Sequence, residues 1–168
     1  MCIEIRPIQA HERDTLHNLW EKYDYEFSQY DKSDVNDAGL YGCKDLDYYW
    51  TKERKWMYFV IVDGKLAGFV MLTDIPEIEG TEVDWTIGEF FIMYKYRRLG
   101  VGKQVFLMIL NQHKGRIYLR RHPKNIASVH FWDNVISEYT KGRYELIKSH
   151  PKTVYPDGTL ADVFFFTS

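Results

Sequence analysis

The sequence predicts an α/β (α+β) fold whose central sheet is mixed and mostly antiparallel, with one local pair of parallel strands. The chain has 168 residues, close to the usual size of one domain, so we expect a single domain over residues 1–168. Strand-like and helical segments follow one another in the order β-α-α-β-β-β-α-β-α-β-β. The strand–helix–strand unit in the middle of this order predicts the parallel pair, because parallel neighbours need a long crossover connection.

The first half of the chain predicts a strand, two helices and a hairpin. Residues 2–8, "CIEIRPI", alternate between apolar and polar side chains, as a strand does. Between residues 10 and 30 five apolar residues recur at helical spacing: Leu16, Trp20, Tyr23, Phe27 and Tyr30. A polar loop at 31–44 separates this helix from a short one at 46–53. Two β-rich runs flank an Asp-Gly pair at 63–64, which is typical of a hairpin turn.

The second half predicts four strands and two helices. The strands are expected at 84–94, 115–121, 144–150 and 163–168. The helices are expected at 101–113 and 126–140. Between the last two strands the segment "YPDGTL" has the residue types of a turn.

Composition and charge exclude several classes of protein. Hydrophobic residues make up 45% of the chain, too many for a disordered segment, and the net charge of −2 does not favour a nucleic-acid binder. Cys2 and Cys43 are too few for a disulfide framework and suit a reducing compartment, and the six histidines show no metal-ligand spacing. The N-terminus lacks a signal-peptide pattern, and the longest apolar runs are too short to cross a membrane. We therefore expect a cytoplasmic protein with no metal.

A basic, glycine-containing turn is the main functional motif. The segment Arg97-Arg98-Leu99-Gly100-Val101-Gly102 follows a predicted strand and opens a predicted helix. It matches neither the nucleotide-binding Walker loop, which needs a different glycine and a Ser or Thr, nor the G-x-G-x-x-G dinucleotide fingerprint. The N–H groups and positive dipole end of a helix nevertheless bind anions, and Lys103 adds charge. The turn therefore predicts a pyrophosphate site, with a purely structural tight turn as the alternative.

The pattern Ile92-x-Tyr94-x-x-Arg97-x-x-Gly100-x-Gly102 resembles the acetyl-coenzyme A signature of the GCN5-related N-acetyltransferases. The segment "NIASVHFW", which begins at Asn125, is similar to a downstream motif of the same family, and the element order matches along nearly the whole chain. The resemblance implies a splayed parallel strand pair with helices on both faces of the sheet. It also implies acetyl-CoA as co-substrate and direct transfer of the acetyl group to an amine.

The resemblance further implies the positions that contact the cofactor. Backbone N–H groups on the motif strand would pair with the pantetheine arm and stabilise the developing oxyanion. Asn125 would contact that arm, cap its own helix, or do both. The cofactor-binding residues expected on this basis are Phe91, Ile92, Met93, Arg97, Arg98, Leu99, Gly100, Val101, Gly102, Lys103, Asn125, Ser128 and Trp132.

The catalytic residues are less well defined by the motifs. Many family members carry a carboxylate where this chain has Thr86, and the acidic neighbour Glu89, in an otherwise apolar strand, is the expected base, acting through a water. A buried salt bridge or a solvent-facing position is the alternative for Glu89. The family's acidic tyrosine is replaced by Trp132, which cannot act as an acid. Tyr139 or Tyr118 would take its place, or the thiol would leave without an acid.

The expected activity is therefore N-acetylation of a primary amine, either a small polycationic amine or a peptidyl amine. The segment 21–47 is rich in acids and tyrosines, which suits a cationic acceptor, although a solvated helix face is the alternative. Two rival functions follow from the same residues: a non-catalytic acyl-CoA-binding module and a protein-interaction domain without cofactor. We expect no nucleic-acid or membrane partner, and either a monomer or a homodimer.

Overall fold

A computed structural model describes residues 1–43, 46–51 and 55–168. Within these residues seven strands form one sheet, and four α-helices pack around it. The strands are β1 (Ile3–Pro7), β2 (Lys55–Val62), β3 (Lys65–Thr73), β4 (Trp85–Ile92), β5 (Arg116–Arg121), β6 (Tyr144–Ile147) and β7 (Asp162–Thr167). The helices are α1 (Arg13–Asp31), α2 (Leu46–Thr51), α3 (Val101–Gln112) and α4 (Ile126–Thr140).

The sheet has the predicted mixed, mostly antiparallel architecture. Its strand order is β1-β2-β3-β4-β5-β7-β6, and every described pair is antiparallel except β4 with β5. The parallel pairing is short, because only residues 85–87 of β4 pair with residues 117–119 of β5. Beyond that point the two strands no longer pair, and a gap opens between them. The expected splayed pair is thereby confirmed.

Helices cover both faces of the sheet, as expected. On one face α1 and α2 pack Leu16, Trp20 and Leu46 against β2, β3 and β4. On the other face α3 and α4 contribute a second apolar cluster, in which Phe106 and Ile136 are completely buried. The face of each β4 side chain therefore decides which pair of helices it contacts, since successive residues of a strand point to opposite sides.

Several element boundaries differ from the predictions for local reasons. The motif strand ends at Ile92 rather than residue 94, because residues 94–96 form a 3₁₀ turn closed by the Tyr96 N–H to the Met93 carbonyl. Strand β6 ends at Ile147, because Ser149 takes a left-handed backbone with φ of 50°. The predicted helix at 46–53 is observed to residue 51, and its last two residues lie outside the described residues. Among the helices described, none has both the length and the apolar character that crossing a bilayer requires.

Candidate functional site

The glycine-containing turn between β4 and α3 forms an anion-binding type of helix start. Arg98 and Gly100 both have left-handed backbones, with φ of 61° and 80°, and α3 begins at Val101. The Gln104 N–H donates to the Gly100 carbonyl at 3.1 Å, which is the first hydrogen bond within α3. The N–H groups of the helical residues before Gln104 therefore have no acceptor within the helix. These N–H groups, together with the positive end of the helix dipole, define an anion-binding geometry.

The two glycines of this turn serve different purposes. A Cβ atom added at Gly100 would meet nothing within 4 Å, so this glycine is needed for its positive φ. A Cβ atom added at Gly102 would lie 3.1 Å and 3.3 Å from two ring carbons of Phe131 on α4. Both glycines are among the residues expected to contact the cofactor, and that expectation stays a prediction. In the structure, Gly102 accommodates the ring of Phe131, which fixes the packing of α4 on α3.

The basic side chains of the turn differ in whether they already form ion pairs within the protein. Arg97 forms a two-pronged ion pair with Glu26 of α1 and donates from Nε to the Ile92 carbonyl at 2.6 Å. Lys103 pairs with Glu138 of α4 at 2.6 Å. Arg97 therefore ties the turn to β4 and α1, and Lys103 ties α3 to α4. Arg98 is exposed, so its guanidinium is the one best placed among the three to meet an incoming anion.

The gap beside β4 exposes backbone groups in the middle of the sheet. The Met93 N–H donates to the Ala67 carbonyl of β3, and Phe91 pairs in register with Phe69 of the same strand. Because backbone groups alternate sides along a strand, the N–H groups of Phe90 and Ile92 face away from β3, into the gap. This orientation reduces the number of backbone N–H groups that can donate to a cofactor in the gap. Of the three residues 91–93, only Ile92 directs its N–H toward a ligand lying in the gap.

A cleft of about 680 Å³ opens at the end of β4, between α1, the turn and the start of α4. Its lining includes Phe91, Met93 and Arg97 from the motif and Asn125 from the downstream segment. The remaining lining residues are Lys22, Tyr25, Glu26, Ser28, Gln29, Tyr30, Tyr94 and Ala127. The structure thus brings the two predicted motifs, 28 positions apart from Arg97 to Asn125, to one opening.

The downstream segment combines capping with packing. The Asn125 side chain accepts the Ser128 N–H at 3.0 Å and so caps α4, while the same residue lines the cleft. Trp132 is 7% exposed and packs edge-on against Phe90 and Phe106, with ring centroids 5.1 Å and 5.6 Å apart. Asn125 therefore combines the capping position with a cleft-lining position, whereas Trp132 lies in the core directly behind the gap.

Glu89 faces α1 and is half-buried beneath the cleft. It is two residues before Phe91 on the same face of β4, which places it about 7 Å closer to the start of the strand. Both residues contact Tyr23 of α1: the phenol hydrogen-bonds to Glu89, and its ring lies 5.6 Å from that of Phe91. Burial, followed by the charge of Glu89, raises the pKa of Tyr23 well above its usual range. The phenol therefore stays protonated and can hold the Glu89 carboxylate in position.

A polar cluster around Glu89 was not predicted from the sequence. Arg120 of β5 pairs with Glu77 at 3.1 Å, and the Tyr118 hydroxyl donates to the same carboxylate at 3.2 Å. Tyr155, from the loop between β6 and β7, packs its ring 5.2 Å from the Arg120 guanidinium. Burial raises the pKa of both Tyr118 and Tyr155. The charge of Glu77 raises that of Tyr118 further, and the charges of Glu89 and Glu77 raise that of Tyr155 further. These phenols are hydrogen-bond donors rather than effective acids.

The other residues considered for catalysis have structural surroundings. Thr86, at the family's usual carboxylate position, is completely buried and donates its hydroxyl to the Ile75 carbonyl at 3.0 Å. Asp84, an acid one residue before the start of β4, accepts the Arg116 N–H at 2.7 Å and holds the start of β5. Tyr139 packs on Phe106 and stands 14 residues beyond Asn125, about 21 Å along α4 from the cleft. The role of Tyr139 as the acid stays a prediction.

Comparison with known proteins identifies the family. Residues 13–135, almost three quarters of the chain, match the model of the acetyltransferase (GNAT) family, and the chain belongs to that family. It is thus an acyltransferase, and acetyl-CoA is the co-substrate of the family. No curated protein matches the chain in sequence.

Solved structures with the same fold share little sequence with the chain. An acetyltransferase from Thermus thermophilus is 13% identical with a TM-score of 0.70, and the match covers 100% of this chain and 98% of that one. The PaiA N-acetyltransferase of Thermoplasma acidophilum, in complex with coenzyme A, is 16% identical with a TM-score of 0.60 and full coverage of both chains. The ribosomal-protein-S18-alanine N-acetyltransferase of Escherichia coli is 12% identical with a TM-score of 0.60, covering 98% and 92%.

Proposed function

We propose that this protein transfers the acetyl group of acetyl-CoA to a primary amine that is bound beside Glu89. The observation that carries the proposal is the gap between β4 and β5, which opens directly between the anion-binding turn and the polar cluster around Glu89. A cofactor lying in this gap would have its pyrophosphate at the turn and its thioester near the backbone N–H of Ile92. The acceptor would then approach from the side of α1.

The pyrophosphate end is supported by charge and by backbone geometry. Among the residues lining the cleft, Lys22 and Arg97 are cationic and Glu26 is anionic, so the lining carries a net positive charge. Arg98 adds an exposed cation at the start of α3. Such surroundings favour the phosphates of the cofactor over a cationic amine, so the amine must be held elsewhere.

The Glu89 side of the gap supports an amine. Glu77 and Glu89 supply two carboxylates against the guanidinium of Arg120, and the phenols of Tyr23 and Tyr155 surround them. An alkylammonium of pKa about 10.4 must lose its proton before attack, at a cost of roughly 4–5 kcal/mol at neutral pH. Glu89 would attract the ammonium and accept this proton, directly or through a water.

The transfer step then uses groups already in place. The neutral amine attacks the thioester carbonyl, and the oxyanion that develops receives the Ile92 N–H. Collapse of this intermediate breaks the carbon–sulfur bond and releases the CoA thiolate, while the nitrogen, which gained a positive charge on attack, loses its second proton to solvent and becomes the neutral amide. A thiol of pKa about 8.5 is an acceptable leaving group without an acid. The thiolate would finally take its proton from solvent or from protonated Glu89.

The charges of Glu77, Glu89 and Arg120 restrict the acceptor to amines that can bind beside two carboxylates and a guanidinium. Two acids of the segment 21–47 already have partners. Glu21 accepts two backbone N–H groups, and Glu26 pairs with Arg97. Glu21 and Glu26 are therefore not available to bind a cationic acceptor. The proposal places acceptor selection instead on Glu77, Glu89 and Tyr155. Both small polyamines and peptide amines are acceptors that agree with this proposal.

The cofactor part of the proposal is tested by calorimetric titration of CoA into the native chain and the variant Arg98→Ala. Loss of one charge-assisted contact to a phosphate should weaken binding by about tenfold. The matched control is Lys141→Ala, which also removes an exposed cation from a left-handed backbone position, with φ of 54°, at the C-terminal end of α4. Equal affinities for all three proteins would overturn the assignment of the turn.

The transfer part is tested by measuring CoA release from acetyl-CoA against a panel of primary amines. The panel should include diamines, polyamines, lysine peptides and peptides with free N-termini. Amine-dependent release is the expected result. Tight CoA binding without release for any amine would instead favour the non-catalytic acyl-CoA-binding module.

A further inference from the structure

A side-chain cluster outside the acceptor site brings together three different metal-ligand groups. His17 and Glu21 stand four residues apart on α1 and therefore lie on one face of the helix. Cys43, from the loop that follows α1, is 4% exposed and packs against that face. One ligand atom of each side chain, the imidazole nitrogen, carboxylate oxygen and thiol sulfur, lies within 4.8 Å of the others.

We propose that His17, Glu21 and Cys43 form a binding site for a divalent transition-metal ion, with zinc as the best fit. Imidazole, thiolate and carboxylate are the ligands that zinc takes in proteins. A thiolate and a carboxylate together would neutralise the two charges of the ion. Three protein ligands leave a fourth tetrahedral position for water.

The distances within the cluster agree with a tetrahedral ion. Ligand bonds of about 2.3 Å to sulfur and about 2.0 Å to oxygen place those two atoms about 3.5 Å apart around tetrahedral zinc. The Cys43 Sγ and the Glu21 Oε1 are 3.4 Å apart. The His17 nitrogen lies within 4.8 Å of the other two ligand atoms, so it must move closer by no more than roughly 1.3 Å, which a small side-chain rotation supplies. His17 and Glu21 are only half-buried, so an ion can enter from solvent.

The carboxylate is already oriented by groups that would remain in place around a bound ion. The Tyr41 N–H donates to Glu21 Oε2 at 2.9 Å, and the Gly42 N–H donates to Oε1 at 2.8 Å. Such contacts fix the direction of a metal-bound carboxylate. Without metal, the Cys43 thiol donates to Oε1. Binding would release this proton to the buffer, form the sulfur–metal bond and replace the thiol hydrogen bond, with no change of oxidation state.

Cobalt(II) is the probe for this proposal, because its spectrum reports a thiolate ligand directly. Titration of the reduced full-length chain should produce a sulfur-to-cobalt charge-transfer band in the near ultraviolet and strong tetrahedral bands in the visible. Zinc added in competition should abolish both. Cys43→Ser should lose the charge-transfer band, and Cys2→Ser, which alters the exposed cysteine, is the matched control and should keep it.

A second variant keeps the test decisive if the buried Cys43→Ser change prevents folding. His17→Gln alters a half-exposed position on α1 and should weaken zinc binding roughly 10- to 100-fold while the circular dichroism spectrum stays native. Zinc should also raise the melting temperature of the native chain but not that of the variant. A charge-transfer band that vanishes in Cys2→Ser, or zinc affinity unchanged in His17→Gln, would overturn the proposal.

Discussion

The proton balance of the proposed reaction rests on Glu89. Replacing it by Gln keeps the size and the hydrogen-bonding partner for Tyr23 but removes the base, so kcat/KM should fall about 100-fold or more. The affinity for CoA should change less than twofold, because Glu89 faces α1 rather than the anion-binding turn. The measurement is steady-state CoA release over a range of amine concentrations, with the exposed Glu82→Gln as control. A loss of threefold or less would remove Glu89 from the mechanism.

Gly68 controls how closely β3 approaches the gap-lining strand. A Cβ atom at this position would clash with the Phe91 carbonyl oxygen. This carbonyl belongs to the β4 backbone and cannot rotate away. Gly68→Ala should therefore lower the free energy of unfolding by about 3 kcal/mol and weaken CoA binding, because β4 must shift.

The control for this change is Gly64→Ala in the β2–β3 turn. That position has φ of 73° and open space around it, so only backbone strain of about 1 kcal/mol is expected. Urea denaturation of the two variants should separate the steric effect from the strain. Equal losses would contradict the role assigned to Gly68.

Residue roles were predictable where a motif carries them and not where tertiary contacts create them. Asn125 stands before an apolar helical run, and its capping role follows from that position. The side chain of Arg97 was expected near a phosphate, but its pairing with Glu26 depends on how α1 crosses the turn. Glu77 and Tyr155 lie in irregular segments far apart in sequence, so no local pattern indicates that both approach Arg120.

At the scale of elements, the start of the first helical region has a pH-dependent anchor. Glu12 receives two hydrogen bonds from Arg6 of β1, both at 2.8 Å, and one from the Gln9 N–H. These contacts, that of Arg6 first, lower the pKa of Glu12 from 4.5 to about 2. Because the folded-state pKa is lowered, the stabilisation is complete above pH 4.5 and is lost as the pH falls toward 2.

Glu12→Gln should accordingly be destabilised at neutral pH and equal to the native chain in acid. The expected difference in unfolding free energy is about 1 kcal/mol at pH 7, since the Arg6 side chain is 43% exposed and water screens the pair. The difference should shrink between pH 4.5 and 2. Chemical denaturation at a series of pH values measures it, and a difference that persists at the acid end of this range would contradict the assigned cause.

Element types were more predictable than element ends. The helices α1, α3 and α4 follow from apolar periodicity, and the β2–β3 hairpin follows from its Asp-Gly turn. The ends depend on backbone events that the sequence does not indicate, such as the left-handed conformation at Ser149. The proposed metal-ligand cluster shows the same limit: the histidines have no metal-ligand spacing along the sequence, and Cys43 reaches His17 and Glu21 only through the path of a loop.

At the scale of the whole molecule, the order of elements predicted the mixed sheet, and the family resemblance predicted that its parallel pair is splayed. What neither predicted is which backbone groups the splay leaves open. That depends on the register of β4 with β3, including the irregularity between Met71 and Leu72, because a shift by one residue would turn the opposite set of N–H groups toward the gap.

The gap gives the centre of the sheet the solvent behaviour of a sheet edge. In hydrogen–deuterium exchange, the amides of Phe90 and Ile92 should exchange quickly in the free protein, while those of Phe91 and Met93, which donate to β3, should be slow. Added CoA should slow the Ile92 amide selectively. Uniform protection along the strand without cofactor would contradict the open gap. An internal strand of this protein would thus alternate between fast and slow exchange at single-residue spacing, with the cofactor occupying the position of the missing neighbour.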